Sequence, residues 1–143
     1  MDAGSWSAYW YNGYIYSSEI SRGLDSFEPV PSGLVSKNEI DAAKTVHFDY
    51  FNTQGQPKFV WPPSFALARA YVDQLERSKC LSSSRVSAVR SALSSAEKAS
   101  GSARKDALTT LSTQLSGEVS GSCDGARVQK LSNAVKDLAN VAS

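Results

Sequence analysis

The run YWYNGYIY, at residues 9–16, constrains the fold of this chain more than any other segment. Asn12-Gly13 lies between two stretches of β-prone residues, and both positions of a two-residue type I′ turn need a positive φ, which Asn and Gly tolerate best. The sequence therefore predicts a β-hairpin with a fixed register. In that register the facing pairs are Tyr11 with Tyr14, Trp10 with Ile15, Tyr9 with Tyr16 and Trp6 with Glu19.

Both faces of this predicted hairpin are apolar, whereas a hairpin with one solvated face alternates apolar and polar residues. Because successive side chains point to opposite faces, they form two sets. One face carries Tyr9, Tyr11, Tyr14, Tyr16 and Ile20, and the other carries Trp6, Ala8, Trp10 and Ile15. The segments SWSAYWY, YIYSSEI and GLDSFEPV predict a three-stranded antiparallel β-meander within residues 1–30. We expect this meander to need cover on both faces, from partners outside these 143 residues.

Residues 31–63 are predicted to form a linker with one short helix and an irregular segment. PVPSGLVS, at residues 29–36, ends the strand structure because it is rich in Pro, Gly and Ser. SKNEIDAAKTV then begins with a capping box, in which the Ser36 side chain accepts a hydrogen bond from the Glu39 amide. Gly and Pro residues interrupt the HFDYFNTQGQPKFVWPP segment that follows.

After residue 63, apolar residues recur every three or four positions, which predicts helices. The candidate helical segments are SFALARAYVDQLERSK, SRVSAVRSALSSAEKA, SARKDALTTLSTQLSGEV and DGARVQKLSNAVKDLANV. The short loops between them favour a small up-and-down helical bundle over residues 64–143. Together with the meander, this bundle predicts the α+β fold class, in which strands and helices occupy separate parts of the chain.

Cys80 and Cys123 are the two cysteines of the chain, and each precedes a predicted helix. Helices two apart in an up-and-down bundle run in the same direction, so both cysteines would lie at the same end. We therefore predict a disulfide and an exported protein, either secreted or periplasmic. The alternative is a pair of reduced, buried cysteines in a cytosolic protein. A zinc site is not expected, because the two thiols are far apart in sequence and have no nearby histidine.

The composition argues against two classes of partner. Lys and Arg number 15 and Asp and Glu 14, a formal net charge of +1, so we expect no nucleic-acid partner. No apolar run approaches the roughly 18 residues that a membrane span requires, so membrane insertion is not expected. The first residues also lack the basic and then apolar pattern of a signal peptide.

No catalytic motif is found in the sequence, so we predict a protein that is not an enzyme and needs no cofactor or metal. His47 is the only histidine, and with Asp49 it would supply only half a metal site. No G-x-S-x-G elbow selects a nucleophilic serine, and no glycine-rich phosphate loop is present. Glu19, Asp25 and Glu28 could form an acidic pair, although turn and edge carboxylates are the better interpretation.

The aromatic residues of the hairpin form the one candidate ligand platform, since their rings could stack on sugar rings. They are Trp6, Tyr9, Trp10, Tyr11, Tyr14 and Tyr16. The competing interpretation is that these side chains are core, because they alternate onto both faces of the hairpin. Exposure of Trp10 and Tyr14 would favour the platform, and their burial would favour the core.

The predicted disulfide indicates an exported protein, but the sequence shows no export signal, and its hairpin has two apolar faces without cover. Together these features favour the interpretation that the 143 residues are the C-terminal part of a longer chain. In a β-propeller the inner strands of each blade are packed between neighbouring blades. GSWSAYWYNGYIYSSEISRGLDSFEPVPS resembles the end of the propeller in bacterial LVIVD-repeat proteins, where WYNG-[YR]-IY-x-S-[ED]-I-x-RGLDVF forms the closing strands. The similarity covers roughly residues 4 to 78 and includes Trp61-Pro62; Ser26 departs from the pattern, which usually has an apolar residue there.

This resemblance implies a non-catalytic segment that closes the propeller of an exported protein and carries a helical structural or interaction module. The last helices, from about residue 80, loosely resemble the FIMAH modules that are appended to secreted bacterial hydrolases. The implied partners are upstream propeller blades of the parent chain or another copy of this chain. The alternative function is binding of carbohydrate or another cell-envelope ligand through the aromatic hairpin.

Overall fold

The computed structural model describes residues 4–55 and 57–141. Over that range, a three-stranded antiparallel sheet is followed along the chain by five α-helices, which confirms the α+β fold class. The chain divides into two compact units, Met1–Pro62 and Pro63–Ser143. The sheet and the first helix belong to the first unit, and the four longer helices belong to the second.

The Asn12-Gly13 turn joins strand β1 (Ser5–Tyr11) to strand β2 (Tyr14–Glu19). The two turn residues have φ angles of 48° and 95°, the positive values that a type I′ turn requires. Three pairs of the expected register are confirmed, namely Tyr11 with Tyr14, Trp10 with Ile15 and Tyr9 with Tyr16.

The expected pairing of Trp6 with Glu19 is wrong. A β-bulge directly after Ser5 makes Ser5 the partner of Glu19 instead. A bulge adds one unpaired residue to one strand of a pair. From the shifted position the Ser5 hydroxyl lies within hydrogen-bond distance of the Ser17 hydroxyl and the Ser18 carbonyl, so polar contacts favour the bulged register. Trp6 is left unpaired and 78% exposed.

Strand β3 (Gly23–Phe27) pairs with β2 and completes the sheet in the order β1-β2-β3. The turn before it is held by the Glu19 carboxylate, whose Oε2 accepts from the backbone N–H groups of Ser21 and Arg22 at 2.8 and 2.6 Å. The other oxygen, Oε1, is buried and has no hydrogen-bond partner among the described residues. Glu19 is therefore a turn carboxylate with one unused acceptor.

Helix α1 (Lys37–Lys44) begins at the predicted capping box. The Ser36 hydroxyl accepts from the Glu39 N–H at 3.1 Å, and the Glu39 carboxylate accepts from the Ser36 N–H at 2.6 Å. Of residues 46–61, the described part contains one short 3₁₀ turn, Thr53–Gly55, and is otherwise irregular.

The second unit is a bundle of four helices, α2 (Phe65–Arg77), α3 (Ser83–Lys98), α4 (Gly101–Glu118) and α5 (Gly125–Val141). Helix α2 packs against α3, α3 against α4, α4 against α5, and α5 against α2. This order is that of an up-and-down bundle with short connections. The largest fully buried apolar side chains are Leu75, Leu93, Leu108, Leu115, Leu131, Val72, Val86, Val89, Val128 and Val135.

Cys80 and Cys123 form a disulfide, with their Cα atoms 5.1 Å apart. Cys80 lies shortly before α3, and Cys123 shortly before α5. The starts of these two helices therefore lie at the same end of the bundle, as the up-and-down order predicts. Ser122 adds a hydrogen bond between the same two loops, because its hydroxyl donates to the Cys80 carbonyl at 3.0 Å.

Candidate functional site

The turn of the hairpin is attached to the irregular segment that follows α1. The Asn12 side chain donates to the Phe48 carbonyl and accepts from the Phe48 N–H, both at 2.9 Å. The Tyr11 hydroxyl donates to the same carbonyl at 2.9 Å. The Asn12 amide thus pairs with both backbone groups of Phe48 as a neighbouring strand would, and it brings residues 48–53 beside the sheet.

Aromatic rings from this segment cover the turn end of the hairpin on both faces. Phe51 stacks on Tyr11 with ring centroids 6.3 Å apart, and Phe59 meets Trp10 edge-on at 5.8 Å. Phe48 contacts both phenylalanines at 5.2 and 5.3 Å. The expectation that the hairpin finds no cover within this chain is therefore wrong at the turn end. The aromatic residues in HFDYFN and KFVW could have indicated that this segment packs on the hairpin. Because their spacing is irregular, they match neither a strand nor a helix pattern.

A groove forms where this segment meets the sheet face that carries the tyrosines. It is an open, shallow depression of about 530 Å³. Its lining residues are Tyr9, Tyr11, Tyr16, Asp49, Tyr50, Phe51 and Thr53. We call it the tyrosine groove. Three members of the predicted platform lie in it, and the other four lining residues were missed as site residues by the sequence analysis, which considered Asp49 only as a metal ligand.

The tyrosine groove offers ring faces together with a few polar groups. Tyr9 is 47% exposed and Tyr50 is 79% exposed, so both rings are accessible from solvent. The Asp49 carboxylate is fully exposed. Tyr11 is the fixed member, because its hydroxyl is bound and its ring is stacked on Phe51. This arrangement suits a ligand with an apolar face and hydroxyl groups at its edge.

The other members of the predicted platform lie outside the groove. Tyr14 is 43% exposed and lies beside Tyr16, with ring centroids 6.4 Å apart. Trp10 is half-buried on the opposite face, where it lines an apolar pocket of about 310 Å³ with Ala43, Phe59 and Trp61. Trp6 lies on the bulge, away from both cavities. The exposure of Tyr14 favours a role in a ligand platform, whereas the partial burial of Trp10 favours a role in the core.

The carboxylates considered for catalysis have structural partners. Asp25 binds the Arg22 guanidinium at 2.8 Å and raises the pKa of that arginine. Glu28 binds the Lys44 ammonium at 3.0 Å, and this hydrogen bond raises the pKa of Lys44. Glu19 holds the β2–β3 turn. These contacts place all three as turn and edge carboxylates.

His47 and Asp49 are exposed neighbours, with Nε2 and Oδ1 3.8 Å apart. Within residues 4–55 and 57–141, no group of three or more His, Cys, Asp or Glu side chains is arranged to hold a metal ion.

Comparison with protein-family models, curated proteins and solved structures finds no match for this chain, so no catalytic family matches it. In the described part of the chain, none of the helices has the length and apolarity needed to cross a membrane. The disulfide is consistent with an extracellular protein, because such bonds persist in oxidising compartments.

Proposed function

We propose that this chain is a non-catalytic segment of an exported protein, in which the three-stranded sheet completes a larger β-structure and the helical bundle is an attached structural or interaction module. The resemblance to LVIVD-repeat proteins suggests that the larger structure is a propeller and that the occupant of the sheet surface is an upstream blade of the same parent chain.

The main observation that supports this proposal is the exposure of large apolar side chains on both faces of the sheet. Leu24 is 68% exposed and pairs with Ser18, which places it on the tyrosine face. Phe27 is 51% exposed and pairs with Ile15, on the opposite face. Exposed apolar surface marks interaction sites where it is contiguous, and a blade between two neighbours is covered on both faces.

The open edges of the sheet also support a missing partner. The outer edges of β1 and β3 carry no further strand in the described ranges, and open edges favour strand pairing.

The test measures whether the isolated chain binds a hydrophobic dye and self-associates through the exposed apolar side chains of the sheet. We expect the chain to bind a hydrophobic dye and to associate with rising concentration in light scattering. The double variant Leu24→Lys/Phe27→Lys should abolish both, because charges on the two faces oppose close packing. Val141→Lys is the matched control, since it adds a charge at an exposed valine of the helical unit. A monomeric, dye-silent protein would contradict the proposal.

A further inference from the structure

We infer that the tyrosine groove binds a neutral carbohydrate, with pyranose rings stacked on its tyrosines. This inference goes beyond the proposed function, because the groove lies at the turn end of the hairpin and is assembled from residues of this chain alone. A pyranose ring has an apolar face of C–H groups and a rim of hydroxyl groups. The groove presents the complementary combination, namely tyrosine ring faces with polar groups at the edge.

The rings of the groove are held in place before any ligand arrives. Tyr9 and Tyr16 are directly opposed across β1 and β2, so the sheet fixes their spacing. Tyr11 is fixed by the bond of its hydroxyl to the Phe48 carbonyl and by its contact with Phe51. A site whose side chains are already ordered loses less conformational entropy on binding. Tyr50, at 79% exposure, is the most exposed ring of the groove.

The charge of the groove selects among carbohydrates. None of the seven lining residues is Lys or Arg, and the one acidic side chain among them is Asp49, which has the His47 ring 3.8 Å away. Phosphorylated or sulfated sugars would meet this carboxylate with no lysine or arginine among the lining residues. Neutral sugar hydroxyls, in contrast, can donate hydrogen bonds to the carboxylate, which accepts only. The groove therefore fits neutral glycans and disfavours anionic ones.

A proline-rich peptide is the main competing occupant, because such peptides dock in aromatic-lined grooves. Proline has no backbone N–H, so a proline-rich segment has few donors for the Asp49 carboxylate. The exposed carboxylate and the Thr53 hydroxyl at the groove therefore favour a ligand rich in hydroxyl groups.

The experiment is affinity electrophoresis of the full chain in native gels that contain wheat arabinoxylan, barley β-glucan or glycogen, with decaproline and heparin as competitors in solution. We expect retardation by at least one of the three neutral polysaccharides, unchanged by either competitor. Tyr9→Ala and Tyr50→Ala should each weaken binding about three- to ten-fold, the effect of losing one aromatic contact. Tyr14→Ala is the matched control, because it removes an exposed tyrosine of the same face that does not line the groove.

Three outcomes would overturn the inference: no retardation in any of the gels, displacement by decaproline, or an equal loss of binding in Tyr14→Ala. Near-ultraviolet circular dichroism of each variant verifies that the aromatic cluster is intact, and Asp49→Asn gives a second, isosteric test, with weaker binding expected. The Leu24→Lys/Phe27→Lys protein keeps every groove residue, so its sugar binding should persist whether or not the sheet associates with a partner.

Discussion

Asn12 has two roles that can be separated by substitution. Its backbone forms the positive-φ turn, and its side chain binds both backbone groups of Phe48. Asn12→Gly keeps the turn, because glycine adopts positive φ freely, but it removes both side-chain bonds.

We expect Asn12→Gly to lower the free energy of unfolding of the first unit by about 1–2 kcal/mol. Asn12→Asp should fall between it and wild type, since a carboxylate can accept from Phe48 but cannot donate to it. Urea unfolding followed by tryptophan fluorescence measures this, because Trp6, Trp10 and Trp61 all lie in the first unit. An Asn12→Gly midpoint equal to that of wild type would show that the attachment contributes nothing to stability.

Ser112 and Ser132 form a buried pair of serines between α4 and α5. The Ser132 hydroxyl donates to the Ser112 carbonyl at 2.9 Å, and Ser132 is 1% exposed. Ser132→Ala should cost about 1 kcal/mol of stability. Ser112→Ala/Ser132→Ala should cost less than the sum of the two single changes, because the two buried hydroxyls that contact each other are then removed together, while the Ser116 hydroxyl, which also contacts Ser132, is exposed to solvent. Chemical unfolding followed at 222 nm measures this, with exposed Ser87→Ala as the control for helix propensity. If the loss of stability in the double variant equalled the sum of the losses in the two single variants, the two serines would not be coupled.

Arg69 and Glu97 form one of the ion pairs that join α2 to α3, beside those of Arg90 with Asp73 and Glu76. The Arg69 guanidinium binds both carboxylate oxygens of Glu97, at 3.2 and 2.6 Å, and this hydrogen bonding lowers the pKa of Glu97 below its ordinary value of 4.5. A carboxylate with a lowered pKa in the folded state adds stability above its unfolded-state pKa, and this contribution disappears as the pH falls through the folded-state pKa.

Glu97→Gln should therefore lower stability by about 0.5 kcal/mol near pH 7, a small value because the pair is half-exposed. The difference from wild type should be smaller at pH 3, which lies below the unfolded-state pKa of the carboxyl group. Thermal unfolding at the two pH values measures it, and exposed Asp106→Asn serves as the control. A difference that is the same at both pH values would rule out an ionic contribution.

Elements whose determinants are local could be predicted from the sequence. The Asn12-Gly13 turn and the Ser36 capping box each depend on residues within four positions of one another, and both are present. The bulge after Ser5 could not be predicted, because it depends on hydroxyl contacts 12 and 13 residues away along the chain. Only the strand residues of the tyrosine groove could be predicted, because tyrosines that alternate along a strand must share one face. Tyr50 and Phe51 come from an irregular segment, and no periodicity in its sequence indicates where their side chains lie.

The disulfide closes a loop in the helical unit, with a sequence separation of 43 between Cys80 and Cys123. Cross-links of this kind stabilise by about 2–4 kcal/mol, chiefly by restricting the unfolded chain. We expect Cys80→Ser/Cys123→Ser to lower the melting temperature of the helical unit by about 8 °C or more, measured at 222 nm.

Reduction of the wild-type protein should reproduce that shift and should leave the double variant unchanged. Protein purified from an oxidising compartment should show no free thiol by intact-mass labelling. Two labelled cysteines in that experiment would contradict an exported, disulfide-bonded protein.

The attachment of Asn12 to Phe48 also has a consequence for biosynthesis. The hairpin can close as soon as residue 19 has left the ribosome, but its partner Phe48 lies 29 positions after residue 19. At synthesis rates of about 5–20 residues per second, the aromatic rings of the nascent hairpin stay uncovered for about 1.5–6 s. During that interval they are open to chaperones and to neighbouring nascent chains, so slower translation of codons 20–48 should increase chaperone association and lower the yield of folded protein.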